Sequence, residues 1–194
     1  MNHTAHCLLS YPDEALLLGN FIGDYVKGSA WKRYPLGVQR GILLHRAIDS
    51  FTDHHPATRA SIARVREFAG RYAPPVVDIL YDHLLCLQWD ACCQVEFDVF
   101  ANWVYASLDA RSGEMPAELQ ARWPHMREGR FLQGYQTREG LEWVLGQFSR
   151  RLNGAVDAGA LATHFFAGIA DFASDFSAFF PDLQQRVLVF LKED

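Results

Sequence analysis

The chain has 194 residues, of which 49% are apolar and 13% aromatic, enough for a real core and unlike an intrinsically disordered protein. A formal net charge of −5 argues against general nucleic-acid binding, and no apolar run approaches the roughly 18 residues needed to span a bilayer. The N-terminus lacks the basic and then uninterrupted apolar segments of a signal peptide, and Cys7, Cys86, Cys92 and Cys93 show no CxxC spacing, so a cytoplasmic protein with reduced thiols is expected.

Every long segment has helical periodicity, and no alternating strand stands out. Pro12, Asp13 and Glu14 open a helix running to about Lys27, stopped by Gly28, with Asn20 and Asp24 on one face at i, i+4. A loop with Trp31 and Pro35 leads to GILLHRAIDSFTDHHP, Gly41 to Pro56, where His45, Asp49 and Asp53 occupy an arc of roughly 80° beside Ile42, Leu43, Ile48 and Phe51. Ala57 to Tyr72 is amphipathic and basic. Pro74 and Pro75 start a helix to about Ala91 that carries Asp78, Asp82 and His83 among Val, Ile and Leu. Glu96 to Leu108 is an aromatic-rich helix, and Ser112, Gly113 and Pro116 mark a loop. Pro124 and Gly129 interrupt the next stretch, and Thr137 to Leu152 is helical again. Asp157 to Phe180 is crowded with Phe, read as packing or a self-association surface, and Pro181 separates it from a last helix, Leu183 to Leu191. The expected architecture is all-α, one irregular helical bundle over residues 1–194.

Carboxylates inside largely apolar helices cost several kcal/mol unless paired or metal-bound. Two such helices suggest a shared site for a divalent cation such as Mn, Fe or Zn, weighed against salt-bridged polar positions. Such an ion lowers the pKa of bound water and polarises a phosphoryl oxygen, which suits phosphate-ester hydrolysis. The Asp82-His83 pair reverses the His-Asp order of HD phosphohydrolases. Of the other histidines, His54 and His55 read as helix-end residues, His125 as solvent-facing, His164 as core, and His3 as a possible flank of the site.

The motifs MNxxAH (Asn2, Ala5, His6), LLGNxxxDxVxG (Leu17 to Gly28), GIxxHRxIDxxTD (Gly41 to Asp53) and the Asp78 segment with Asp82-His83 succeed one another over most of the first 90 residues. In these the chain resembles the acyl carrier protein phosphodiesterases, with a weaker echo in LQxY, Leu132 to Tyr135. The resemblance implies an HD-like helical fold with permuted motif order. It also implies a Mn2+-dependent hydrolase, with Mg2+ or Fe2+ as alternatives, that removes 4′-phosphopantetheine from the serine of holo-acyl carrier protein. Carried over, Asp24, His45, Asp82 and His83 become metal ligands. Asp49 and His6 become the candidates for proton transfer, and Arg46 a residue that reaches the phosphate.

Between Lys27 and Arg71 lie half of the chain's 18 basic residues against three acids, Asp49, Asp53 and Glu67. That stretch suits an acidic carrier protein as docking partner, with Arg64 a candidate contact, and neither nucleic acid nor membrane is expected as a partner. Three alternatives stay open: an HD-like phosphohydrolase of nucleotides or other small phosphoesters, a non-catalytic carrier-binding module, and a di-iron oxygenase.

Overall fold

The computed structural model describes residues 1–193, and among them the chain is all-α, with no strand. Its helices are α1 (His3–Leu8), α2 (Glu14–Ile22), α3 (Leu36–His54), α4 (Pro56–Ala69), α5 (Ala73–Leu87), α6 (Trp89–Cys92), α7 (Phe97–Ala110), α8 (Ala117–Glu128), α9 (Arg138–Arg151), α10 (Ala158–Ala167) and α11 (Ile169–Lys192). No described helix is long and apolar enough to cross a membrane, and all four cysteines are free.

Several ends differ from the sequence expectation for local reasons. Asp13 caps α2 by accepting from the N–H groups of Ala15 and Leu16, both at 2.9 Å, so the helix starts after Pro12. It stops at Ile22, where Gly23–Tyr25 tightens into a 3₁₀ turn and puts Asp24 on that turn instead of on a helical face with Asn20. His55 is extended, and its Nδ1 accepts from Ala57 N–H at 3.3 Å. It therefore caps the start of α4, with Pro56 at the first position where a missing N–H costs nothing. The Phe-rich region breaks at Gly168, and α11 runs through Pro181. Helix α8 likewise runs through Pro124. Both prolines are solvent-exposed, and so are Ser177 and Gln120 four residues before them, where water can take the freed carbonyl.

The core centres on α5, whose Val76, Val77, Leu80 and Leu85 are fully buried. Phe176 and Phe179 of α11 pack on Tyr81 of α5 and Phe180 stacks on Phe176, each buried and contributing about 1.5–3 kcal/mol by removal from water. The Phe-rich face is packing. Arg64 is committed to the same seam, with its guanidinium 3.3 Å from Asp175 and 3.6 Å from Asp171 on α11.

The tightest packing brings α2 against α3. A Cβ on Gly41 would fall on Leu16 O and lie 2.8 Å from Asn20 N, while one on Gly19 would fall on Val38 O and lie 2.8 Å from the Gly41 Cα. Two glycines thus let the backbones touch, and no side-chain rearrangement can make room for a methyl group. Gly41→Ala is expected to destabilise the protein by at least about 2 kcal/mol in urea unfolding monitored by circular dichroism. A change under about 0.5 kcal/mol would show that the two helices separate freely.

Candidate active site

Helix α1 is short for a free-standing helix, with no side-chain cap of its own at Asn2. Its N-terminus is held instead by Asp82 of α5, fully buried, which accepts from Thr4 N–H at 2.7 Å and Ala5 N–H at 3.2 Å. Burial raises the Asp82 pKa to about 7 against the pull of those two N–H groups. His83 turns to the 3₁₀ turn Gln133–Tyr135, with Nδ1 2.7 Å from Tyr135 O, and Asn2 Nδ2 donates to the Tyr135 hydroxyl at 2.7 Å. Asp82 and His83 therefore anchor α1 from behind, and the Leu132–Tyr135 segment belongs to the same brace.

That brace presents His6 to Asn20 of α2. His6 Nδ1 lies 2.6 Å from Asn20 Oδ1, while Asn20 Nδ2 donates to His6 O at 2.9 Å and to Ser10 Oγ at 2.8 Å. The amide is thus oriented with its oxygen toward the ring, so the His6 Nδ1 carries the proton and Nε2 the lone pair. His45 of α3 repeats the arrangement, its Nδ1 2.8 Å from the backbone oxygen of the same Asn20. Gly23 leaves room for that ring, since a Cβ there would fall on it. The two rings stack, with centroids 4.2 Å apart.

Both Nε2 atoms face oxygen. His6 Nε2 is 3.1 Å from Asp49 Oδ1 and 3.2 Å from Met1 O. His45 Nε2 is 3.1 Å from Asp49 Oδ2 and 3.5 Å from Asp24 Oδ1, yet it is buried without a well-directed hydrogen bond to either. A lone pair aimed at carboxylate oxygens is repulsive unless a proton or a cation lies between them. Among the described residues, His6, His45 and Asp49 alone bring three potential ligand atoms within 4.8 Å of one another. Two imidazoles and a carboxylate with fixed outer hydrogen bonds fit a first-row divalent cation.

Without a cation, protons do part of its work. Burial pulls the His45 pKa down, but the Asp24 and Asp49 carboxylates outweigh it and raise it to about 9. Burial would raise the Asp49 pKa, but the charged His45 and then the Met1 ammonium hold it well below the usual carboxylate range. For His6, burial and then the neighbouring His45 lower the pKa, leaving a neutral ring. His3, beside Phe21 on the pocket wall, is lowered to about 4, chiefly by burial.

The structure gathers His6, His45 and Asp49, with exposed Asp24 at the rim, and leaves Asp82 and His83 outside the group. Arg46 donates from one nitrogen to Val26 O at 2.9 Å and Gly28 O at 3.0 Å, which ties down the segment after Asp24. Of the basic residues between 27 and 71, Arg40 bonds to Leu191 O, Arg64 pairs with α11 and Arg71 bonds to the Tyr72 hydroxyl. Sequence reasoning placed Asn20 on the right motif without its role. It missed the Met1 ammonium, 2.9 Å from Asp78 and 3.7 Å from Asp49, because nothing in the residue types signals a pairing with Asp78, 77 positions away.

The described residues form an all-α scaffold that brings two imidazoles and a carboxylate together. The family model "Acyl carrier protein phosphodiesterase" matches residues 1–183. An acyl carrier protein phosphodiesterase of Serratia proteamaculans is 39% identical over 89 residues, 46% of either chain. Those of an Enterobacter species and Salmonella newport are 28% and 27% identical, covering 78% of this chain and 79% of theirs. No solved structure matches. The chain belongs to the acyl carrier protein phosphodiesterase family.

The geometry of the site leads to two expected outcomes. A cation must displace the His45 proton, so Mn2+ affinity is expected to rise by up to about tenfold per pH unit from pH 6.5 to 8.5, below the His45 pKa of about 9. Calorimetric titration at three pH values checks this, and a flat profile would contradict it. Asp82→Ala leaves two N–H groups unsatisfied and should lower the unfolding free energy by about 2–4 kcal/mol, whereas His45→Ala should cost less than half as much in the same urea titration. Equal costs would mean that Asp82 is not the anchor of α1.

Proposed function

We propose that the protein hydrolyses the phosphodiester joining 4′-phosphopantetheine to the serine of holo-acyl carrier protein, releasing apo-carrier and the free arm. We also propose that it does so with a divalent cation held by His6, His45 and Asp49, with Asp24 completing the set. The observation that carries this is the convergence of two imidazole Nε2 atoms on one carboxylate, with both Nδ1 atoms bonded to Asn20. Two nitrogen ligands favour Mn2+ or Fe2+ over Mg2+. When bound, the ion supplies charge for the phosphoryl oxygens and lowers the pKa of a water molecule.

The chain's own residues do the rest. Asn20 keeps both rings in the tautomer that offers Nε2, so neither histidine needs to lose a proton from Nδ1. Asp49, held ionised by its neighbours, is suited to bind a cation and unsuited either to take a proton as a base or to protonate the departing serine oxygen. Exposed Asp24 stands where a substrate enters, and Arg46 positions the segment that carries it. Asp82 and His83, which the family resemblance marked as ligands, support the site through α1 and Tyr135. Carrier proteins of fatty acid synthesis are acidic, and approach to the basic 27–71 segment in the cytoplasm fits that charge.

The test is a mass measurement on holo-carrier protein incubated with the enzyme and Mn2+, with and without chelator. Loss of the arm is expected only without chelator, and His45→Ala or Asp49→Ala should slow it at least about 10³-fold while leaving the helical spectrum unchanged. Full activity in excess chelator would remove the cation from the reading. A holo-carrier mass that never changes would remove the carrier.

A further inference from the structure

Asp53 lies one helical turn beyond Asp49 on α3, and Pro74 one turn before Asp78 on α5. Both line an open groove of about 450 Å³, whose remaining wall is Arg59, Ile62, Ala63 and Arg66 of α4. Asp49 and Asp78 meet at the Met1 ammonium, so the groove lies one helical turn from those two acids, on the same faces of α3 and α5. Its near end is about 6 Å from Asp49 along the α3 axis.

Arg59 and Arg66 are seven positions apart, on one face of α4 and about 10.5 Å from each other along its axis. Both are exposed, and neither makes an ion pair among the described residues, in contrast to Arg64, which is bound to α11. Ile62 and Ala63 between them give an apolar strip, and Asp53 is the single acid of the lining, so the groove is net positive. An amphipathic acidic helix carries carboxylates one and two turns apart beside an apolar stripe, which is the complement of this surface.

We propose that this groove docks an acidic helix of the carrier protein substrate next to its modified serine, an inference that rests on the activity proposed above. The bond to be cut lies only a few bonds from the carrier's backbone. The carrier's own surface, as well as its arm, must therefore reach the rim of the site. A groove that begins one turn from Asp49 meets that requirement, and its unpaired guanidiniums match an acidic partner.

The test compares wild type, Arg59→Glu/Arg66→Glu, and a control with the same kind of charge reversal on another face, Arg150→Glu, by steady-state kinetics on holo-carrier protein. The double variant is expected to raise KM at least about tenfold with kcat changed less than about twofold, and to flatten the dependence of kcat/KM on salt. Its circular dichroism should match wild type, since both side chains are exposed. Binding of apo-carrier, measured by calorimetry, should weaken in parallel, which separates docking from chemistry. If wild type turns over holo-carrier and the double variant has unchanged KM and apo-carrier affinity, the groove is not the docking surface and this inference alone falls. The same holds if Arg150→Glu raises KM as much. If wild type never turns over holo-carrier, the activity proposed above falls, and this inference with it.

Discussion

One residue, Asn20, orients both imidazoles of the candidate site. Its side-chain oxygen faces His6 Nδ1 and its backbone oxygen faces His45 Nδ1, so one position in α2 fixes the proton on two imidazoles from different helices. Each ring, when neutral, offers a lone pair at Nε2, and both Nε2 atoms face Asp49. Electrostatics makes such an arrangement poor on its own and favourable around a positive charge. The arrangement depends in turn on backbone contact between α2 and α3, which Gly19 and Gly41 permit.

The second supporting constraint is the way α1 is held. A helix this short has little intrinsic stability, and its own N-cap residue contributes no side-chain bond. A buried carboxylate from α5 supplies the missing acceptor, and Tyr135 closes the back of the brace by bonding both Asn2 and His83. Asp82 and His83 of α5 thus lie behind α1, outside the group of His6, His45 and Asp49. They hold the segment that carries His6.

Much of this was legible in the residues. The i, i+4 spacing of His45 and Asp49 on α3 announced a shared face, and the structure has their side chains 3.1 Å apart. The all-helical pattern was equally plain, because helical periodicity is written locally. The division of labour among the acids was not. Asp24 and Asp82 both sit on motifs of the family, but one ends on an exposed 3₁₀ turn and the other buried under a helix terminus. Residue type does not report which N–H groups tertiary packing will bring to a carboxylate. The basic 27–71 stretch shows the same limit, since α-helical rotation sends Arg64 into α11 while Arg59 and Arg66 face solvent. Prolines misled in the other direction: Pro124 and Pro181 read as breaks, yet α8 and α11 continue through exposed positions where water can serve the unpaired carbonyl.

The most direct measurement is anomalous diffraction at the manganese edge from crystals grown with Mn2+. One peak is expected about 2.0–2.3 Å from His6 Nε2, His45 Nε2 and an Asp49 oxygen, with Asp82 still bonded to the α1 backbone. A peak ligated by Asp82 and His83, with His6 and His45 free of it, would contradict the assignment of the cation to the two stacked histidines.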